Sequence, residues 1–408
     1  MDRESGGEEC SFFFDVPEAP PDSIFGVTEA FKLDSNPDKV NLGVGAYHND
    51  QGVVPVLNSV RKAEELLLSR ETSKAYLKID GDAEFIHCVR ALVFGKDFPC
   101  VKEERIATVE TVGGTGALRI GADFVKRYFP EAAVWHSAPT WGNHRGVFST
   151  AGFALHEYPY YDPKTHGVDF NGVLSALSSM PKQSVVLLHV CCHNPTGVDF
   201  SKPQWDEVIE VLLARELIPF LDFAYQGFAD GIEQDAYPVR QLALRGGNFL
   251  LASSFSKNAS LYRERVGTLS VVCGSAVEAK SVTSQLKDVI RTNYSNPPAH
   301  GALTVATILS DDTLRAEWEA EVCEMRERIQ WIRENFVKRL QEQEVPFDFN
   351  HVLAQRGMFS YSGLSKEHVQ KLRSERSVYI LDNGRICLAA INRNNLEYVC
   401  DAIANVLF

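Results

Sequence analysis

The sequence predicts an α/β protein with a large domain built on a mostly parallel sheet flanked by helices, and a smaller α+β domain. Three observations point there. From about Ala107 to Val272, short β-rich runs alternate with helical stretches. The C-terminal third instead carries one long amphipathic repeat. The chain has 408 residues, 45% hydrophobic and 23% charged, which is ordinary globular composition but more chain than one core serves efficiently. The expected division is an arm and part of the small domain over 1–50, the large domain over 51–312 and the small domain over 313–408.

Taken in order, the Pro-rich stretch from Pro17 to Pro21 reads as an extended arm rather than a packed element. Candidate strands follow at Ala133–His136, Val185–Val190, Ile218–Asp222, Phe249–Ser253 and Gly267–Val272. Between them lie helix candidates such as Thr115–Tyr128 and Pro203–Arg215. Leu314, Trp318, Val322, Met325, Ile329, Ile332, Phe336 and Leu340 then recur every three or four residues, the apolar stripe of one long helix. A strand near Phe359, a helix from Lys366 to Arg373, strands near Val378 and Ile386 and a closing helix complete the chain.

Charge and cysteine usage exclude several classes. With 54 acidic against 41 basic residues the formal net charge is −13, and no basic run is present to track phosphates, so no nucleic-acid partner is expected. Nine cysteines show neither a CxxC pair nor a cysteine/histidine metal spacing, so no metal is expected and a reducing compartment is. Cys191 and Cys192 sit in an apolar run as small core residues. Met1 to Glu9 has neither the apolar stretch of a signal peptide nor the arginines of a transit peptide. The longest apolar run, Val185 to Cys192, falls far short of the roughly 20 residues that cross a bilayer. The expectation is a cytoplasmic protein without a membrane partner.

Four features could carry chemistry, each at the carboxyl end of a candidate strand or at the start of a helix. Ser254-Phe255-Ser256-Lys257 follows the run to Ala252. An amine there, lowered in pKa by burial and by Arg265 nearby, could form a Schiff base, although a lysine alone is more often a solvated surface residue. Gly113-Gly114-Thr115-Gly116 opens a helix, where free N–H groups and the helix dipole favour an anion. By itself it is a turn, and it fits neither G-x-G-x-x-G nor a P-loop. Asp222, with Tyr225 three residues on, could hold a protonated ring nitrogen, or merely cap a helix. His193-Asn194-Pro195-Thr196-Gly197 could be only a turn. All four fall on one sheet edge, where ligands bind in such folds.

At these residues the chain resembles the class I aminotransferases of pyridoxal-phosphate (PLP) fold type I, and among them the cytoplasmic aspartate aminotransferases of eukaryotes. The matching segments are Asn41–Tyr47, Gly114–Gly121, Pro139–His144, His193–Gly197, Ser254–Asn258, Leu261–Gly267, Ser295–Pro298 and Gly384–Ile386, in the family's order from about residue 12 to the end. The resemblance implies PLP as cofactor. Lys257 would be its Schiff-base lysine and proton carrier, Asp222 would keep the pyridine nitrogen protonated with His144 behind it, and Tyr225 and Asn194 would bind the ring hydroxyl. Trp141 would stack on the ring. Gly114, Thr115, Ser254 and Arg265 would hold the phosphate together with Tyr76, donated across a homodimer interface. Gly45, Trp141 and Asn194 would line the substrate, Arg385 would clamp its α-carboxylate and Arg291, also in trans, its side-chain carboxylate.

The implied reaction moves the amino group of L-aspartate to 2-oxoglutarate, giving oxaloacetate and L-glutamate by ping-pong chemistry on small dicarboxylic amino acids and 2-oxo acids. The alternatives are a weakened or non-catalytic dimeric paralogue, and a transaminase for other amino acids. Four departures from the family stand out: Gly113 replaces a phosphate-binding serine, Ala259-Ser260 replaces a bulky residue and a glycine, His48 replaces an arginine, and Arg145-Gly146 follows the tryptophan loop.

Overall fold

The computed structural model describes residues 12–19 and 23–408; the expectations for Met1–Glu9 and for Pro20 and Pro21 lie outside them. Its centre is a seven-stranded sheet. In chain order the strands are β1 (Ile106–Val112), β2 (Val134–Ala138), β3 (Leu155–Pro159), β4 (Val185–His189), β5 (Ile218–Phe223), β6 (Phe249–Ser254) and β7 (Val266–Val272). Their order across the sheet is β1-β7-β6-β5-β4-β2-β3. Every neighbouring pair is parallel except those of β7, which runs antiparallel to both β1 and β6.

Periodicity explains how uniformly apolar runs can be strands. Val185, Leu187, Phe220, Leu250, Ala252 and Leu269 point into one buried cluster. Their neighbours Val186, Leu188, Leu221, Phe249, Leu251 and Val272 point into another on the opposite face. A period of two with both faces covered is what a buried parallel sheet requires. Helix α1 (Gly113–Tyr128) lies on the first face, so close that a Cβ on Gly121 would stand 2.4 Å from Cζ of Phe220. Helix α2 (Lys202–Ala214) is started by a capping box between Ser201 and Gln204.

The expectations need adjusting in places. Helix α1 begins two residues before Thr115, because Gly113 at φ +66° turns the chain directly from β1 into the helix. Strands β1 and β3 escaped the sequence reading. In β3, His156 and Glu157 are exposed at the sheet edge, so no apolar run marks it. In β1, Thr108, Glu110 and Thr111 are polar yet buried.

The apolar stripe does form one helix, α3 (Asp312–Glu342), 31 residues long, with all eight stripe residues buried. The Asp311 side chain caps it by accepting from the amides of Thr313 and Leu314. Beyond it, Phe359–Tyr361 pairs antiparallel with Arg385–Cys387, placing Tyr361 opposite Arg385. Val40–Asn41 pairs in parallel with Val378–Tyr379, which ties the N-terminal segment to the C-terminal elements.

Candidate active site

Five strand ends and one strand start meet at a single edge of the sheet. Parallel strands β1, β2, β4, β5 and β6 deliver residues at or just beyond their carboxyl ends: Gly113–Thr115, Trp141 with His144, Asn194, Asp222 with Tyr225, and Ser254 with Lys257. Because β7 runs the opposite way, Arg265 just before its first residue arrives at the same edge. They enclose a cavity of about 240 Å³ lined by Gly45, Gly114, Thr115, Trp141, Asn194, Asp222, Tyr225, Ser254, Lys257, Arg265 and Arg385.

Asp222 is buried, and burial alone would raise its pKa. The hydrogen bond from His144, together with the nearby positive charge of Lys257, outweighs this and holds the carboxyl below its ordinary value. His144 Nε2 stands 2.9 Å from Asp222 Oδ2, and its Nδ1 stands 2.8 Å from the Thr140 hydroxyl. An ionised carboxylate only accepts, so Nε2 carries the proton; in neutral His144, Nδ1 accepts from Thr140. Asp222 is thereby fixed in place and kept anionic.

Enclosure pushes the Lys257 amine down to about 8; Asp222 pulls it up, while Arg265 and Arg385 add to the lowering. The amine stands 5.2 Å from the centre of the Tyr225 ring. Tyr225 is held in its neutral form, since burial raises its pKa against the opposing charge of Arg385. Asn194 Nδ2 donates to the Tyr225 hydroxyl at 3.5 Å.

At the helix α1 end, the Gly113 amide donates to the carbonyl of Arg265 at 2.9 Å. A Cβ on Gly113 would lie 2.7 Å from Nη2 of Arg265 and one on Gly114 3.1 Å from Cβ of Ser254. Two glycines therefore leave an open cradle of amide, hydroxyl and guanidinium donors. Gly113, where a serine was expected, gives its side-chain space to Arg265.

Arg385 enters from the opposite wall. Its Nη1 donates to Asn194 Oδ1 at 3.1 Å and its Nη2 to the Gly43 carbonyl at 2.5 Å, while its Nε is buried without a partner among the described residues. The Phe359 ring lies 4.2 Å from the guanidinium carbon. Gly45 is glycine because a Cβ there would stand 2.7 Å from Cζ of that ring.

Two expected residues stay outside this cavity. Tyr76 is 92% exposed, and Arg291, at the end of the helix Ala276–Asn293, is exposed with its guanidinium donating to the Ser295 hydroxyl. Lining residues beyond the expected set include His189 and Phe359. His189 had a readable signal, since it ends β4 and pairs in register with Asp222. Phe359 had none, because only the tertiary fold brings its strand here. His144, His189 and Asp222 also bring three ligand-type atoms within 4.8 Å of one another, but the His144–Asp222 hydrogen bond already occupies two of them.

The residues fit PLP. Three cations, Lys257, Arg265 and Arg385, face one carboxylate, Asp222, so the cavity favours anions within a chain of net charge −13. The glycine cradle at the helix N-terminus suits a phosphate, and the amine, carboxylate and tyrosine stand where a pyridine ring could be held between them.

Fold and site together define a PLP enzyme of fold type I. The chain belongs to the aminotransferase class I and II family, whose pattern it matches over residues 37–403. It is 50% identical over 387 residues to the aromatic-amino-acid aminotransferase of Escherichia coli, covering 95% of this chain and 98% of that one. It is 48% identical over 397 residues to the aspartate aminotransferase of Pseudomonas aeruginosa, covering 97% and 100%. Among solved structures, the aromatic-amino-acid aminotransferase of Burkholderia pseudomallei, covalently bound to pyridoxal phosphate, superposes with a TM-score of 0.96 at 50% identity, covering 98% of this chain and all of that one. No helix among the described residues is long and apolar enough to cross a membrane.

Proposed function

We infer that this aminotransferase exchanges the amino group of L-aspartate with 2-oxoglutarate, as a homodimer in the cytoplasm. The observation that carries the reading is the cationic cavity with the buried Arg385 guanidinium at its wall, one N–H still unpartnered. A planar fork of that kind suits an α-carboxylate. Arg291, exposed and bonded to Ser295, would meet a second carboxylate in a neighbouring subunit, and the exposed Tyr76 would reach that subunit's phosphate. The eight described cysteines are all free thiols, in keeping with a reducing compartment.

When bound, PLP supplies the electron sink that lets an amino group leave one carbon skeleton and join another. Gly114, Thr115, Ser254 and Arg265 would hold its phosphate and Trp141 one ring face. Asp222 would keep the ring-nitrogen proton in place, oriented by His144. Asn194 and Tyr225 would donate to the ring hydroxyl. The Lys257 amine, poised near 8, is basic enough to take a proton from the substrate Cα and weak enough to release it again at neutral pH. Gly45 and Phe359 would line the substrate side.

A second reading, with aromatic amino acids as donors, is favoured by an aromatic-amino-acid aminotransferase at 50% identity and a tyrosine aminotransferase at 47%. Steady-state assays of the holoenzyme with L-aspartate, L-phenylalanine or L-tyrosine and 2-oxoglutarate separate the two. A kcat/KM highest for L-aspartate supports the first reading, and one highest for the aromatic donors replaces it.

A further inference from the structure

Arg333, on the inner face of helix α3, is fully buried, with 1% of its surface exposed. A charge so placed is costly unless its donors are satisfied. Its two terminal nitrogens donate to neutral acceptors in one short segment: Nη1 to the Val352 carbonyl at 2.9 Å and the Ser360 hydroxyl, Nη2 to the carbonyls of Gly357 at 2.8 Å and Phe359 at 3.3 Å. Burial draws the guanidinium down only to about 9, so it stays charged at neutral pH.

The segment it grips touches the active site in two places. Its Phe359 ring lies on the Arg385 guanidinium and against Gly45. Its Arg356 amide donates to the Gly197 carbonyl at 2.6 Å, in the turn that carries Asn194, and Asn194 accepts from Arg385. A Cβ on Gly197 would stand 2.7 Å from the Phe359 carbonyl, so the two segments are in close contact. Two of the three supports of Arg385, the ring and the Asn194 amide, therefore depend on where residues 352–360 sit; the third is the Gly43 carbonyl.

We propose that Arg333 is a positioning residue for substrate binding: its guanidinium fixes the Val352–Ser360 segment so that Phe359 and Asn194 hold Arg385 in the geometry that receives the substrate carboxylate. This rests on the reading of Arg385 as the α-carboxylate receiver. It touches neither substrate nor cofactor itself. Its effect therefore falls on KM, shared by every amino donor, rather than on kcat.

The test uses the holoenzyme with L-aspartate and L-phenylalanine as alternative donors. Arg333→Lys keeps the charge but loses the fork, and should raise KM for both donors by the same factor, about 3- to 30-fold, with kcat within about twofold. Phe359→Leu should reproduce that rise, and the double variant should be no worse than the more affected single one, because both act through Arg385. An unchanged KM in folded Arg333→Lys, or effects of the two changes that multiply as independent ones do, overturns the proposal. Should Arg333→Lys fail to fold, Ser360→Ala removes one of its acceptors; a KM that stays at the wild-type value both there and in Phe359→Leu overturns the proposal equally. Failure of the aspartate reading would show separately, as a wild-type preference for the aromatic donor with the KM ratios between variant and wild type intact.

Discussion

Lys257 and Asp222 illustrate how a burial cost can be turned to use. Enclosure lowers the amine toward 8, and the Asp222 carboxylate limits the fall. An amine must shed its proton to attack a carbonyl carbon, so uptake of PLP by cofactor-free protein should speed up as pH rises through about 8 and level off above it. Asp222→Asn removes the charge that raises the amine's pKa, so the midpoint of that profile should move to lower pH. Stopped-flow absorbance after mixing with PLP checks both, and a midpoint near the ordinary lysine value would show that the amine is not enclosed as described. Ser260 is a second residue-scale case. It occupies a position expected to be glycine and does adopt φ +53°, with its hydroxyl donating to the Pro55 carbonyl at 2.6 Å. The left-handed conformation costs about 1–2 kcal/mol and the hydrogen bond returns about 0.5–1.5 kcal/mol. Ser260→Gly should therefore leave stability within about 1 kcal/mol of wild type, whereas Ser260→Ala, which keeps the strain and loses the bond, should lose about 1 kcal/mol. Urea titrations of the two variants would show the contrast.

At the scale of elements, periodicity was the readable signal. Helix α3 was legible because eight apolar residues repeat at helical spacing, and its burial follows that stripe. Phe336→Ala should cost roughly 3–5 kcal/mol, since the ring is fully buried, while Glu334→Ala on the exposed face should change stability by less than about 0.5 kcal/mol. Chemical denaturation midpoints measure both, and equal losses would mean the stripe does not face the core. Strand β1 shows where the signal runs out. Its Glu110 is buried, accepts from the Asp82 amide at 3.0 Å and is pushed up to about 8 by that burial. A polar side chain satisfied by a backbone donor 28 positions away looks, in the sequence, like a solvent-facing one. Strand β7 shows a different limit: its run was recognised, but its antiparallel direction, which brings Arg265 to the site, was not.

For the whole molecule, the proposed dimer makes a strong prediction. Lys257→Ala chains should be inactive, and Arg291→Ala chains should be poor with L-aspartate. If Arg291 serves the neighbouring subunit, a mixed dimer holds one site with both residues intact. Co-expressed, differently tagged chains purified as heterodimers should regain aspartate activity, to about half the wild-type value per dimer when sites act independently. Activity no higher than that of the two parents would place Arg291 in its own chain's site or remove it from catalysis.

By itself the sequence determined the fold class through its periodicity and pointed to Gly114, Thr115, Asn194, Asp222, Tyr225, Ser254, Lys257 and Arg265 through short motifs at strand ends, because these are local properties that survive in a linear string; the cofactor and the lining residues Gly45, Trp141 and Arg385 came through the family resemblance. Tertiary structure decided the rest. It made His189 a neighbour of Asp222 through strand register, gave the side-chain space of Gly113 to Arg265, and set Phe359 over Arg385 under the hold of a buried arginine. Each of these is a contact between segments far apart along the chain, and its energy depends on distance and burial, which no local pattern of residues records.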